Sequence, residues 1–314
     1  MSNKVLIAQK THPDVLAVLE PHARPVTIKE GDEDDLRAKI VDCQAILLGT
    51  WLKFTGELMD IAGELKVISR TGVGIDNVDV EAATKRGIYV LNTPGANALT
   101  VAEHALSLMI SLAKHIVFLD QQVRSDNFKA RRLYLPVDMD GKTLGLIGFG
   151  AIGHMLAEKC RLAFNMEVLA YDPFVTNLPD WVKTAGRPEE IFEKSDFVSL
   201  HIPLTEATKN IVNRKTLSLM KPTAFLINTS RGGIVDEDAL FEFLNDKKIA
   251  GAGLDVFEKE PPTPGDKLLT LPNIILTPHT GALTRECVQR VAKCAAQGIA
   301  DYFQGKTPAY IFNK

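Results

Sequence analysis

The residues Gly148-Phe149-Gly150-Ala151-Ile152-Gly153 have the spacing G-x-G-x-x-G. Such a run can bind the pyrophosphate of a dinucleotide when it sits at a strand-to-helix turn. The first glycine permits the tight turn, the second lets backbone approach the phosphates, and the third lets helix and strand pack closely. The context meets that requirement. The run follows a strand-like segment, Thr143–Ile147, and opens an apolar helical pattern over Ile152–Phe164. Backbone N–H groups at the helix N-terminus would then face the anion. The next strand-like segment, Glu167–Ala170, leads to Asp172, 19 residues beyond Gly153. A carboxylate there can accept hydrogen bonds from the adenosine ribose hydroxyls and would repel a 2′-phosphate. Pro173 follows it rather than an arginine, so NAD is expected over NADP.

A second group of polar residues follows the later strand-like segments. His201-Ile202-Pro203 comes after Phe197–Leu200, and Asn228-Thr229-Ser230-Arg231-Gly232-Gly233 after Ala224–Ile227. Asp255 follows Ala250–Leu254 with Glu260 a short loop away, and Thr277-Pro278-His279-Thr280-Gly281 follows Ile274–Leu276. In an open parallel sheet, ligands bind beyond the carboxyl ends of the strands. An arginine, a glutamate and two histidines thus reach the edge that carries the glycine turn. Oxidising a hydroxyl carbon by hydride removal needs a base that titrates near the working pH, and His279 suits. Glu260 beside it would fix the imidazole tautomer and stabilise the imidazolium. Arg231 can grip a carboxylate with two parallel hydrogen bonds and polarise a neighbouring oxygen. Blander readings exist for each: a surface pair for Arg231, a solvated loop acid for Glu260, a satisfied loop histidine for His279. His201 could be a packed histidine or a cofactor-proximal one, and is expected on the cofactor side. His104 and His115 fall on a long helical stretch and read as packing or surface residues.

These residues need a scaffold, and the patterning supplies one. Short apolar runs at Val5–Ala8, Ala45–Leu48, Val67–Ser69 and Ile88–Leu91 alternate with helical segments, as in a parallel sheet covered by helices. A dense apolar helix from Leu99 to about Val123 breaks the rhythm, with Thr100-x-x-Glu103 as a capping box at its start. Being apolar nearly all round, it is expected to be buried. The strand series that contains the glycine turn follows it, and Glu286–Phe303 reads as a terminal helix able to cross back to the first part of the chain. The fold class is α/β, with two doubly wound units joined by the Leu99 helix.

Composition narrows the function classes. With 314 residues there is material for about two domains. A formal net charge of −3 without a long basic run argues against nucleic acid or an anionic membrane as the partner. Cys43, Cys160, Cys287 and Cys294 form no C-x-x-C pair, so no metal site or redox dithiol is expected. Unpaired thiols fit a reducing compartment. No signal-peptide anatomy and no bilayer-length apolar run is visible, so a cytoplasmic location is expected.

Taken together, the chain resembles the D-2-hydroxyacid dehydrogenase family over essentially its whole length. The resemblance is to its phosphoglycerate dehydrogenase and hydroxypyruvate or glyoxylate reductase branches. It rests on Arg70-Thr71-Gly72-Val73-Gly74-Ile75-Asp76-Asn77, on Asn92-Thr93-Pro94 through Glu103, on the glycine fingerprint, on Asn228 to Gly233, on Asp255 to Pro261, and on Pro278 to Gly281. It implies a flavodoxin-like substrate domain split between residues 1–98 and 285–314, with a Rossmann-like NAD-binding domain, 99–284, inserted into it. It implies that backbone N–H groups of Val73 and Gly74 receive the substrate carboxylate beside Arg231, and that Asn97 lines the substrate cleft. On the cofactor side it implies Pro203, Thr208, Thr229, Asp255 and Gly281, with Asp255 at the nicotinamide carboxamide, and a homodimer formed through the Leu99 helix. The implied activity is NAD-dependent interconversion of a small D-2-hydroxy acid and its 2-keto acid, phosphoglycerate dehydrogenase-like, with hydroxypyruvate or glyoxylate reduction as the alternative. An NAD-sensing corepressor scaffold is the competing class. One departure concerns substrate: phosphoglycerate dehydrogenases usually carry an arginine after the third strand, where this chain has Gly49, with Lys53 nearby.

Overall fold

Five short strands, β1 (Lys4–Ile7), β2 (Arg24–Thr27), β3 (Ala45–Leu48), β4 (Val67–Arg70) and β5 (Tyr89–Leu91), pair in parallel in the order β2-β1-β3-β4-β5. This is the flavodoxin-like doubly wound order. The computed structural model describes residues 3–132 and 135–314. A parallel sheet covered on both faces needs strands apolar at nearly every position, and β3 is buried throughout. Successive side chains serve opposite faces. Val5, Ile7, Ala45, Leu47 and Val67 pack with the helices Pro13–Leu19 and Arg285–Phe303, whereas Leu6, Ile46, Leu48 and Ile68 pack with the helices Glu33–Ile40 and Gly56–Ile61. The terminal helix is tied to this sheet by a buried polar contact as well, Ser69 Oγ donating to Ala295 O at 2.9 Å.

Seven further strands form the second sheet: β6 (Thr143–Ile147), β7 (Glu167–Tyr171), β8 (Val182–Thr184), β9 (Phe197–Leu200), β10 (Phe225–Asn228), β11 (Gly251–Leu254) and β12 (Ile274–Leu276). All are parallel, in the order β12-β11-β10-β9-β6-β7-β8. The order reverses between β6 and β9, which makes the carboxyl ends of those strands the switch point. Compactness divides the chain into Met1–Asn97 with Leu283–Lys314, and Ala98–Ala282.

Three local features differ from the sequence patterning. The strands β2 and β8 have no apolar run. Both are edge strands with a single hydrogen-bonded neighbour, so β2 tolerates Pro25 and half-exposed positions. The expected single helix from Leu99 is two, Ala98–Ala113 and Ile116–Arg124, because His115 adopts a left-handed φ of 50° and the axes bend by 58°. Among the described residues, no single helix is long and apolar enough to cross a membrane. The helix also begins at Ala98, so Thr100 and Glu103 lie inside it instead of forming a capping box; Glu103 pairs with Lys159 at 3.4 Å.

Candidate active site

At the end of β6 the chain turns through Gly148 at φ +94°, where a Cβ would also collide with the carbonyl of His201. A Cβ on Gly153 would strike the carbonyl of Gly148, so the helix Ala151–Phe164 can lie against the turn only with glycine there. Around Gly150, by contrast, a Cβ would meet nothing within 4 Å. The turn therefore presents an open backbone face at the N-terminus of a 14-residue helix, as anion binding requires. Phe149 is buried beneath it, with Ile152 half-buried and Ala151 exposed. Asp172, just past β7, accepts from Phe149 N–H (2.8 Å) through one oxygen and from Phe174 N–H (2.9 Å) through the other. The turn and the acid are thus one braced unit, and each carboxylate oxygen keeps further acceptor capacity.

Among the described residues, two buried polar atoms at the neighbouring strand ends have no hydrogen-bond partner: Nδ1 of His201 after β9 and Oγ1 of Thr229 after β10. Orphaned buried polar atoms call for a ligand or water, and His201, whose carbonyl abuts Gly148, fits a dinucleotide at the glycine turn. His201 Nε2 lies 2.9 Å from Ser199 Oγ. In the loop that follows, Thr208 Oγ1 donates to Pro203 O at 2.6 Å and closes a tight turn. Burial pushes the His201 imidazole from 6.5 down to about 4. An unfolded chain takes up this proton near 6.5 and the folded one only near 4, so stability is lost as pH falls across that interval. A plot of Tm against pH should be flatter there for His201→Gln than for the wild type. An unchanged slope would show that His201 does not resist protonation.

The expected catalytic residues come together on adjoining strand ends. Asn228, fully buried at the end of β10, shapes the next loop. Its Nδ2 donates to Arg231 O (2.8 Å), and its Oδ1 accepts from Ser230 N (3.0 Å) and Ser230 Oγ (2.8 Å). A Cβ on Gly232 would overlap the backbone of Phe257, so the Arg231 loop and the Glu260 loop are in direct backbone contact. Arg231 Nη1 donates to Ser230 O at 2.7 Å. Glu260 accepts from Phe257 N–H at 3.1 Å through Oε1, and its Oε2 lies 2.7 Å from His279 Nδ1. A carboxylate facing Nδ1 makes that nitrogen the N–H donor and leaves Nε2 for other chemistry.

His279 sits at a left-handed φ of 53°, a conformation that costs roughly 1–2 kcal/mol for a residue with a Cβ. Asp255 holds it there. The Asp255 carbonyl accepts from His279 N–H (2.8 Å), Oδ1 from Thr280 N–H (2.8 Å) and Thr277 Oγ1 (2.6 Å), and Oδ2 from Gly281 N–H (2.8 Å). Burial raises the Asp255 carboxyl, but donors from His104, Thr277, Thr280 and Gly281 outweigh it and hold the group below its usual range. The sequence carries no sign of this second task for Asp255. Nor does it flag His104, whose Nε2 lies 2.9 Å from Thr277 Oγ1 and 3.3 Å from Asp255 Oδ1. His104 is therefore a network residue rather than a packing or surface one.

The remaining expected residues, Val73, Gly74 and Asn97, belong to the other compact unit. Beyond β4, Thr93 N–H donates to Gly72 O (3.0 Å) and Asn92 Nδ2 to Val73 O (2.9 Å), fixing the loop. Among the described residues, the N–H groups of Val73 and Gly74 donate to no backbone carbonyl. Asn97 carries a buried Oδ1 without a partner among the described residues.

Residues 106–281 match the family model described as D-isomer specific 2-hydroxyacid dehydrogenase, NAD binding domain. A hydroxypyruvate reductase of Thermotoga maritima is 43% identical, over 85% of this chain and 87% of that protein. A D-3-phosphoglycerate dehydrogenase of Methanocaldococcus jannaschii is 36% identical over 99% of this chain; the match spans only 59% of that longer protein. Among solved structures, the TT0316 protein from Thermus thermophilus superposes with a TM-score of 0.91 at 35% identity, covering 98% of this chain and 99% of that one.

Proposed function

The chain belongs to the D-isomer specific 2-hydroxyacid dehydrogenase family, and from that premise we propose that it interconverts a small D-2-hydroxy acid and its 2-keto acid with NAD. The observation that carries the proposal is the 2.7 Å contact of Glu260 with His279 Nδ1, on a loop adjoining that of Arg231. A bound nicotinamide would supply the hydride acceptor or donor. In reduction, His279 delivers a proton from Nε2 to the C2 oxygen; in oxidation it removes one. Glu260 orients the imidazole by accepting its Nδ1 proton. Arg231 binds the substrate carboxylate and polarises the C2 oxygen. The N–H groups of Val73 and Gly74 suit a substrate carboxylate, and Asn97 a polar group. The unit Ala98–Ala282 would hold the dinucleotide through Gly148–Gly153, Asp172, His201, Pro203, Thr208, Thr229, Asp255 and Gly281.

A non-phosphorylated acid is the reading that the first sheet favours. Any Cβ at position 49 would overlap the carboxamide of Gln9, which Thr71 Oγ1 contacts at 3.0 Å. A neutral amide therefore fills the space where a phosphate-binding arginine would begin, and Lys53 is solvent-exposed. A second copy of the chain is the proposed partner. The helix Ile116–Arg124 buries none of its residues, and Ile116, Val117, Val123 and the nearby Phe128 are exposed. Unpaired, mostly buried thiols suit a cytoplasmic location.

Turnover of hydroxypyruvate, glyoxylate and 3-phosphohydroxypyruvate with NADH and NADPH tests this. The kcat/KM with NADH should exceed that with NADPH by ~10-fold or more, since a phosphate beside Asp172 easily costs the ~1.4 kcal/mol this requires. Asp172→Ala should narrow the gap. Equal use of both cofactors by the wild type would refute the role of Asp172, and preference for the phosphorylated acid would refute the substrate reading. Absence of any turnover would favour a scaffold. The same preparation should sediment near twice 34.4 kDa.

A further inference from the structure

We propose that His104 is a positioning residue for the reaction, acting on His279 through Thr277 and Asp255. The inference rests on the reading of His279 as the acid–base. The helix Ala98–Ala113 packs against β10, β11 and β12, which brings His104 over the ends of the strands that carry the site. Proton counting then sets the direction of every bond. The Asp255 carboxylate only accepts, so the Thr277 hydroxyl, 2.6 Å from Oδ1, directs its single proton there. Thr277 Oγ1 must therefore accept from His104 at 2.9 Å, which puts a proton on His104 Nε2. The same N–H lies 3.3 Å from Asp255 Oδ1. His104 thus braces the carboxylate that receives the N–H groups of Thr280 and Gly281, in the residue whose carbonyl receives that of His279. Each of the three residues of the strained turn hangs from Asp255, and His104 secures Asp255 from the helix side.

The role is one of aim. Without the His104 donor, Asp255 and Thr277 keep their mutual bond but lose their outer support, and the turn carrying His279 gains freedom. Reduction of hydroxypyruvate by NADH is the assay, with Kd for NADH and Tm measured alongside. His104→Leu should lower kcat about tenfold with Kd for NADH changed less than about twofold, because ångström-scale misplacement of a reacting group alone costs up to ~10²-fold. His104→Gln places an amide N–H the same number of bonds from the backbone and should restore most of the loss. Thr277→Val should reproduce the Leu effect, and the double variant should fall no further than either single, as for members of one chain. If the Leu variant does not fold, Thr277→Val against His104→Gln carries the test. Unchanged kcat in the Leu variant, equal loss in Leu and Gln, or additive losses in the double variant would overturn the proposal. Full turnover by His279→Ala would instead remove the underlying reading, and is distinguished by that variant alone.

Discussion

Replacing His279 with alanine should lower kcat for 2-keto acid reduction by ~10²–10⁴, the range for loss of a positioned general acid, with NADH binding nearly unchanged. Three observations set this expectation. The ring is anchored at Nδ1 by Glu260 at 2.7 Å, so Nε2 is oriented before substrate arrives. The main chain is held at φ 53° by Asp255, so the orientation does not depend on the side chain alone. Alanine at this position keeps the backbone contacts, because His279 N–H, Thr280 N–H and Gly281 N–H still find Asp255. The loss should therefore fall on chemistry. Glu260→Gln keeps the shape but offers an amide where a carboxylate accepted the Nδ1 proton. That favours the wrong tautomer, and kcat should drop by ~10-fold or more. Single-turnover measurements of NADH oxidation, which isolate the chemical step, should show both losses undiminished. Wild-type single-turnover rates in His279→Ala would remove histidine from the mechanism.

Arg231→Gln should reduce kcat/KM by ~10²–10⁴, since two charge-assisted hydrogen bonds to a carboxylate are each worth ~1.5–3 kcal/mol. Arg231→Lys keeps the charge but not the planar fork, so it should recover only part of the loss. Both KM and kcat are expected to suffer: the carboxylate is held in ground and transition states, whereas polarisation of the C2 oxygen grows toward the transition state. The main chain of the loop is shaped by Asn228, by the contact of Gly232 with Phe257, and by the bond of Arg231 Nη1 to Ser230 O. A lysine variant with wild-type kcat/KM would show that bidentate binding is not what this arginine provides.

Much of the scaffold was legible because a parallel sheet writes itself into sequence. Strands buried on both faces are apolar at nearly every position, so β3, β6 and β9 could be bounded to the residue. Parallel strands end on one edge, so polar residues after consecutive runs imply neighbouring side chains. That is why Arg231, Glu260 and His279 group together in the amino-acid sequence alone. Edge strands escape the rule: β2 and β8 face fewer neighbours and carry mixed residues. The break between Ala113 and Ile116 escapes it too, because a left-handed His115 changes the path of the chain without changing the apolar pattern.

The α/β class, the strand-to-helix glycine turn followed by Asp172, and the polar residues after consecutive strands are legible in the amino-acid sequence. Those follow from periodicity and from residue types whose chemistry is local. How these residues are held depends on packing. The brace of Asp172 on Phe149, the clash that makes Gly232 obligatory, and the Gln9 amide filling the space at Gly49 each join residues from different loops. The same is true of the His104, Thr277 and Asp255 network behind His279. A histidine in an apolar helix carries no local mark of the carboxylate it will meet. Only packing of that helix across the strand ends fixes the donor, the acceptor and the direction of the proton between them.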